Sequence, residues 1–165
     1  EALKEVDEAV QLTPFLPLPF LMRGHIYNRK GELGKAIEAF QSARERKAYG
    51  GEIYNSLAVV YGKNKQYEKA IDAGLMALKL NPYLAEAHYN LAINYNHIGR
   101  IDEAIEEYET FLKVEPNNAY VHQSVGHLYK KKEDTVNAKR HWRIALKLWK
   151  DYKPAKDALL ILLAQ

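Results

Sequence analysis

The side chains best suited to chemistry in this chain are six histidines and three serines, and their spacing argues against an active site. His122 and His127 are five positions apart, so on a helix they do not share a face well enough to chelate a metal ion. None of Ser42, Ser56 and Ser124 lies in a nucleophile elbow or beside a plausible base. The chain has no cysteine, which removes thiolate ligands and a thiol nucleophile, and it has no glycine loop that could cradle a phosphate. We therefore predict that the protein is not an enzyme and that it holds no metal ion and no cofactor.

The segments that carry these residues repeat along the chain with a period of 34 positions. Tyrosine recurs in register at Tyr27, Tyr61, Tyr95 and Tyr129. Alanine recurs at Ala2, Ala36, Ala70, Ala104 and Ala138. Small residues recur at Gly24, Ala58, Ala92 and Gly126. Because chance does not produce several series in one register, the 34-residue unit is the building block of the fold.

Each unit has the pattern of two helices. In residues 85–118, apolar side chains recur at spacings of three and four, first up to Tyr95 and again from Ile101, which is typical of two amphipathic helices. Gly99 separates them and suits a left-handed helix end, and Pro116 ends the second helix because proline lacks the amide donor. A single helical hairpin cannot bury its apolar face alone, so we predict a stack of hairpins.

This pattern resembles the tetratricopeptide repeat family, in which aromatic, small and proline places recur at fixed offsets. The best unit carries the pattern at His88, Leu91, Ala92, Tyr95, Ala104, Tyr108, Phe111 and Pro116. The unit before it carries the pattern at Tyr54, Leu57, Ala58, Tyr61, Ala70, Ala77 and Pro82. The strict spacing argues against pentatricopeptide repeats, which have a longer period.

The resemblance implies an all-α fold, a right-handed superhelical solenoid of antiparallel helix hairpins that forms one domain over residues 1–165. The first to fourth full repeats are residues 17–50, 51–84, 85–118 and 119–152. Residues 1–16 correspond to the second half of an earlier repeat, and residues 153–165 to the first helix of a further one.

The resemblance also places a binding groove on the first helix of each repeat, which lines the concave face in this family. The residues in those places combine apolar and aromatic side chains with amides and cations: Asn55, Val59, Lys63, Tyr89, Asn90, Ile93, Asn96, Tyr120, Gln123, His127, Lys130 and Lys131. Aromatic side chains supply contact area, and amides can donate to and accept from a peptide backbone. We predict a protein–protein interaction scaffold that binds a peptide or protein segment in this groove. Glu52 and Glu86 exclude the carboxylate clamp that some co-chaperones of the family use for acidic tails.

Other interpretations stay open. The groove aromatics would, on the simplest view, only pad the packing between repeats. A self-assembly module would form a homo-oligomer through the array ends or the convex face. At the C-terminal end of the array, we expect Leu159, Leu160, Leu162 and Leu163 to pack on the fourth repeat. Ile161 and part of this leucine run would stay exposed, and Ile161 and Leu162 are the candidate self-association residues.

The distribution of charge suggests a third, less favoured alternative, a binder of membrane or nucleic-acid anions. Residues 119–165 carry 10 Lys/Arg against 4 Asp/Glu, whereas residues 1–118 carry 14 against 17. The basic places on the second helix of the fourth repeat, at Arg140, Arg143 and Lys147, correspond to Glu106, Glu109 and Lys113 in the third repeat. These places form a basic stripe on the fourth repeat beside an acidic stripe on the third. We expect ion pairs between the two stripes to account for much of the basic charge.

Some residues depart from the repeat pattern. His88 and His122 stand where the first two repeats have Phe20 and Tyr54. We therefore expect both to be partly buried aromatic substitutes with hydrogen-bonded nitrogens rather than metal ligands. Gly74 stands where other repeats have an aromatic residue, which indicates a close helix approach or a kink.

The sequence does not assign a compartment. Its longest apolar run, residues 158–164, is far shorter than the ~20 residues of a membrane span, and its charged opening residues are not a signal peptide. We therefore expect a soluble protein, of which this chain is an excised or processed piece.

Overall fold

The computed structural model describes residues 1–46 and 50–163, and within them it contains ten α-helices and no strand. The first five helices are α1 (Ala2–Leu12), α2 (Pro17–Lys30), α3 (Leu33–Glu45), α4 (Gly51–Lys63) and α5 (Tyr67–Leu80). The others are α6 (Ala85–His97), α7 (Ile101–Val114), α8 (Ala119–Lys131), α9 (Thr135–Leu148) and α10 (Lys153–Leu163). The predicted two helices per repeat are confirmed for all four repeats.

The chain forms two compact units, residues 1–94 and 95–165. In the first unit, α2 packs on α3 and α4 packs on α5, and α3 and α4 join these two hairpins. In the second unit, α8 and α9 form a hairpin, α7 contacts α8, and α10 contacts α9. That residues 1–165 form one domain stays a prediction.

The repeated alanines of the four full repeats belong to the core. Ala36, Ala70, Ala104 and Ala138 are fully buried. Around the alanines of the first unit, a core forms from side chains that include Phe20, Phe40, Leu57 and Val60. The core of the second unit includes Trp142, Tyr152 and Leu162.

In two hairpins, a glycine on the first helix faces a large aromatic side chain on the second helix. In the first repeat, a Cβ added to Gly24 would lie 2.6 Å from the ring of Phe40. In the fourth repeat, the ring of Trp142 takes the space that a Cβ on Gly126 would need. Glycine on the first helix therefore makes room for a large aromatic residue on the second helix.

The second repeat closes differently because glycine replaces the aromatic residue on its second helix. A Cβ on Gly74 would lie 2.8 Å from the side chain of Leu91, which comes from α6. The predicted close helix approach at Gly74 is confirmed.

The first helix of every repeat ends in the same left-handed turn. A residue one or two positions past the helix end has positive φ in each repeat, with values between 58° and 78°: Gly31, Lys65, Gly99 and Glu133. In each case the next amide donates to the carbonyl of the repeated tyrosine, for example from Arg100 to Tyr95 at 2.9 Å. The amide of the left-handed residue also donates, for example from Gly99 to the Asn96 carbonyl at 3.2 Å, and these two hydrogen bonds form a Schellman motif. The predicted left-handed end at Gly99 is confirmed.

The expected ion pairs between the third and fourth repeats are wrong for the described residues. None of Arg140, Arg143 and Lys147 has an acidic partner within 4.0 Å there, and Glu109 instead accepts a hydrogen bond from the hydroxyl of Tyr129 at 2.9 Å. Lys132 pairs with Asp102. The charge of the basic α9 therefore stays unneutralised by these stripes.

The leucine run of α10 packs only in part as expected. Leu162 is buried and Leu159 is half-buried against the second-unit core, but Leu160 is 57% exposed and Ile161 is 55% exposed. Leu160 lies at the hairpin-facing place that Gly126 holds in α8, and no described helix covers that side of α10. The expected packing of Leu160 is therefore wrong, and the side chain of Leu163 lies outside the described residues.

Candidate binding surfaces

The first-unit surface consists of predicted groove residues that lie on two neighbouring first helices, α4 and α6. Its members are Asn55, Val59, Lys63, Tyr89, Asn90 and Ile93. All are half-buried except Lys63, which is exposed. The structure joins the two helices through their amides, because Asn90 Nδ2 donates to Asn55 Oδ1 at 2.9 Å.

The amide pair of the first-unit surface has hydrogen-bonding capacity beyond this bond. The bond uses one N–H of Asn90 and one lone pair of Asn55, which leaves the two N–H groups of Asn55 and the side-chain carbonyl of Asn90. A donor and an acceptor held side by side match the N–H and C=O groups of an extended peptide.

A third asparagine fixes the backbone beneath this pair. Asn94 is 3% exposed and its Nδ2 donates to the Asn90 carbonyl at 2.7 Å. Among the described residues its Oδ1 has no hydrogen-bond partner, and it faces Gly62, where an added Cβ would lie 2.6 Å away. Sequence reasoning missed Asn94, although a polar residue where the other repeats have Ile26, Val60 and Leu128 was a usable signal.

The second-unit surface consists of the predicted groove residues of the second unit. Its members are Asn96, Tyr120, Gln123, His127, Lys130 and Lys131. Lys131 Nζ donates to Asn96 Oδ1 at 2.9 Å. The ring of His127 stands edge-on to Trp142, with centroids 5.3 Å apart, and burial followed by the charges of Lys130 and Lys131 lowers the pKa of His127. His127 is therefore neutral at neutral pH.

Two of the predicted groove lysines have equivalent partners. Lys63 Nζ donates to Asn28 Oδ1 at 2.8 Å, as Lys131 does to Asn96. Each bond spans 35 positions and links the first helices of successive repeats. Because the partner is a neutral amide, each ammonium keeps its full charge and two further N–H donors.

Three aromatic rings form a platform at one end of the second-unit surface. The rings of Trp149 and Tyr152 are stacked, with centroids 4.9 Å apart and an angle of 12°. The ring of Tyr120 stands edge-on to both, at 5.7 Å from Trp149 and 5.1 Å from Tyr152. Tyr120 and Trp149 are 56% and 45% exposed. Trp149 and Tyr152 were not predicted as site residues, although they are aromatic only in the fourth repeat.

Two histidines are bonded to each other inside the hairpin of α8 and α9. His122 Nε2 lies 3.1 Å from the carbonyl oxygen of Pro116, which can only accept, so this nitrogen carries the hydrogen. His122 Nδ1 then accepts from His141 Nδ1, also at 3.1 Å. The predicted hydrogen-bonded role of His122 is confirmed, and its partner His141 was missed.

Burial keeps both rings of this pair neutral. It lowers the pKa of His122, and together with the charges of His122 and Arg140 it lowers the pKa of His141 to about 4. Within residues 1–46 and 50–163, no group of three or more acidic or histidine side chains is placed to hold a metal ion. No described helix is both long and apolar enough to cross a membrane.

Comparison with known proteins gives one family and many similar structures. Models of the tetratricopeptide repeat family match residues 21–85 and 85–118. The chain is similar to YrrB, solved as "a TPR protein with an unusual peptide-binding site", with a TM-score of 0.84, 23% identity, and coverage of 94% of this chain and 80% of that one. It is also similar to MamA, with a TM-score of 0.85, 26% identity and coverage of 90% and 86%.

A third similar structure is the hetero-tetramer Cut9–Hcn1 of APC/C, with a TM-score of 0.84, 25% identity, and coverage of 96% of this chain and 32% of that one. A search of curated proteins gave no significant match. The likeness to these structures confirms the predicted all-α repeat solenoid.

Proposed function

Because this chain belongs to the tetratricopeptide repeat family, we propose that the first helices of its repeats hold an extended peptide segment of a partner protein. The general role of the chain is that of a protein–protein interaction scaffold. Repeats of this family are typically non-catalytic, and no catalytic role is proposed.

The observation that carries this proposal is the bonded pair Asn55–Asn90. Each amide is held by its partner, so it loses little rotamer freedom when a ligand binds. The buried Asn94 fixes the helix backbone next to the pair. The half-buried Tyr89 and Ile93 flank Asn90 in the sequence and supply apolar contact area.

The second-unit surface favours a segment with acidic character. Lys130 and Lys131 supply positive charge, and the exposed rings of Tyr120 and Trp149 supply aromatic contact area. Charge complementarity of this kind raises association rates and suppresses partners of the wrong sign.

A peptide-display selection on the 165-residue chain tests the proposal. Selected peptides are then measured against the triple variant Tyr89→Ala, Asn90→Ala and Tyr120→Ala. We expect binding to fall by more than tenfold, because the loss of an aromatic anchor from an interface typically costs over 1 kcal/mol. The matched control is Tyr83→Ala with Asn117→Ala, which removes exposed side chains of the same types outside both surfaces. Equal affinity of the triple variant and the control would contradict the proposal.

Self-association is a second candidate function, and the exposed end of α10 favours it. Leu160 and Ile161 are adjacent and more than half exposed. A contiguous apolar patch of this kind is typical of an interaction site. The buried Leu162 is unsuited to this role, because it packs in the second-unit core.

A further inference from the structure

The first unit contains an open cavity of about 250 Å³ between α3, α4 and α5. We call it the α3–α5 pocket. Its walls are apolar and aromatic, and they include Tyr54, Leu57, Ala73 and Met76. Its volume suits one aromatic ring, and no residue of the first-unit surface lines it.

The fourth repeat fills the equivalent place with a side chain of its own. Tyr54 and Ala73 occupy the same repeat positions as His122 and His141, whose rings bond each other and fill the equivalent space in the fourth repeat. The second repeat has alanine opposite its aromatic residue, so the space opposite Tyr54 stays open.

The first repeat also carries an alanine here, but a distant side chain compensates. Phe20 and Ala39 hold the equivalent positions, and the guanidinium of Arg46 lies over the Phe20 ring at 3.9 Å from its centroid. The planar guanidinium of Arg46 therefore covers the Phe20 ring in the first repeat, and the ring of His141 lies against His122 in the fourth.

The mouth of the pocket favours an anion. Arg44, Lys69 and Asp72 line it, which gives two cations against one carboxylate. Neither Arg44 nor Lys69 forms an ion pair in the part of the chain that the structure describes, and both are exposed. Tyr61 adds a donor, because its hydroxyl oxygen accepts from Gln41 Nε2 at 2.9 Å and its own hydrogen is left to donate.

We propose that the α3–α5 pocket receives an aromatic side chain of a protein partner, and that a carboxylate next to that side chain binds Arg44 and Lys69. The ring fills the space opposite Tyr54 that the second repeat leaves empty, and Tyr61 donates to the same carboxylate. This site does not depend on the peptide groove, so the chain would hold a partner at two separate surfaces.

Four short peptides test the chemistry: Ac-Asp-Trp-Asp-NH2, Ac-Asn-Trp-Asn-NH2, Ac-Lys-Trp-Lys-NH2 and Ac-Asp-Ala-Asp-NH2. Binding is followed by NMR through the methyl groups of Met76 and Ala73. We expect the acidic tryptophan peptide to shift both signals and to bind about fivefold more tightly than the asparagine peptide, since an exposed ion pair is worth up to about 1 kcal/mol. The lysine peptide should bind more weakly still, and the alanine peptide should shift neither signal.

Filling the pocket is the decisive variant. Ala73→Leu should abolish the shift of Met76 and keep or raise the midpoint of unfolding, as cavity-filling substitutions do. The matched control is Ala2→Leu, which adds the same side chain at an exposed alanine of α1. Unchanged binding by Ala73→Leu, or shifts that map to the first-unit surface instead, would overturn the proposal.

Charge reversal gives a second test that leaves the core untouched. In Arg44→Glu with Lys69→Glu, the lysine peptide should become the tightest binder and the acidic peptide the weakest of the three tryptophan peptides. An unchanged order of affinities would overturn the proposed role of the two cations.

Discussion

The bonded pair His122–His141 places two titratable groups inside a hairpin core where the first and second repeats have an aromatic residue and an alanine. The shared bond requires His122 Nδ1 to stay unprotonated, because this nitrogen accepts the hydrogen of His141 Nδ1. An added proton on His122 Nδ1 would set two N–H groups against each other, and an added proton on His141 Nε2 would place a buried positive charge near Arg140. Acid therefore opposes the folded state at this residue pair.

Stability should fall in mild acid because of His141. Its pKa is lowered to about 4 in the folded protein, whereas the unfolded chain takes up the proton near the ordinary value of 6.5. Stability from this group is thus present above pH 6.5 and is lost as the pH falls toward 4. We expect the free energy of unfolding to be about 2 kcal/mol lower at pH 5 than at pH 7.5, measured by urea denaturation.

The control for this prediction copies the first repeat. In His122→Phe with His141→Ala, the pair takes the residue types of Phe20 and Ala39, which do not titrate. This double variant should lose most of the difference between pH 5 and pH 7.5. If the double variant and the unmodified chain lose equal stability, other groups cause the acid sensitivity.

At the scale of the helix, the four equivalent Schellman turns differ in one respect. Two of them place glycine at the left-handed residue, and two place Lys65 and Glu133 there. A residue with a β-carbon pays an energetic cost in this conformation that glycine does not. The second and fourth repeats therefore have less stable ends on their first helices than the others.

Glycine at either of these two positions should stabilise the protein. We expect Lys65→Gly and Glu133→Gly each to raise the free energy of unfolding by roughly 0.5–1 kcal/mol. The converse variant, Gly31→Ala, should lower it, although an added Cβ there meets nothing within 4 Å. Urea unfolding of all three variants checks the sign, and a loss of stability in Lys65→Gly would contradict the explanation.

Crowding at a buried alanine gives another prediction for an element. Ala104 is fully buried. Ala104→Leu should overpack its surroundings and lower the free energy of unfolding by about 1–3 kcal/mol. An unchanged denaturation midpoint would contradict the assigned packing, and Ala2→Leu at the same repeat position on the exposed face of α1 is the control.

The elements were predictable from sequence because their causes are local or periodic. The left-handed turn at Gly99 and the buried Ala104 follow from residue type and the 34-residue register. The bond between His122 and His141 was not predictable, because it depends on which side chains of two helices point at each other. The exposure of Leu160 was missed because its position in the register implies a covering helix, which the described residues do not provide.

For the binding surfaces, the repeat register identified residues but not their bonds. Lys131 was predicted as a groove cation, but its hydrogen bond to Asn96 was not predicted, because Asn96 lies 35 positions away rather than 34. This offset of one reflects how successive first helices are staggered, which the period alone does not contain. The α3–α5 pocket was invisible to sequence analysis, because Ala39 holds the same repeat position as Ala73 and only the fold shows whether the space beside each alanine is covered.

On the scale of the whole molecule, charge is concentrated toward the C-terminal end. The net charge is +3, and it is the sum of +6 in residues 119–165 (10 Lys/Arg, 4 Asp/Glu) and −3 in residues 1–118 (14 Lys/Arg, 17 Asp/Glu). Because Arg140, Arg143 and Lys147 lack acidic partners in the described part of the chain, this charge is available to attract anions from solution.

An acidic ligand of the groove should therefore be sensitive to salt. Replacing Lys63, Lys130 and Lys131 by Gln is expected to weaken an acidic selected peptide by about tenfold, and added salt should have a similar effect on the unmodified chain. Titration calorimetry at two ionic strengths measures both. Affinity that is indifferent to salt would show that the amide and aromatic contacts act without the lysines.

Self-association through α10 is testable with the same chain. Sedimentation velocity over a range of protein concentrations should show a reversible oligomer, and Leu160→Glu with Ile161→Glu should weaken it at least tenfold while the helix content stays unchanged. Lys156→Glu, on the same helix and also exposed, is the control for added negative charge. A monomer at every concentration would rule out this candidate function.

The matching of a small residue on one helix of a hairpin to a large residue on the other has a consequence for how genes that encode these repeats can recombine. A crossover within a hairpin would join the Gly126 helix to the Gly74 helix and leave a void, or the Ala58 helix to the Trp142 helix and force an overlap. A crossover in the loop between two hairpins keeps each matched pair together. Viable rearrangements, natural or designed, should therefore have their junctions between repeats and exchange whole hairpins.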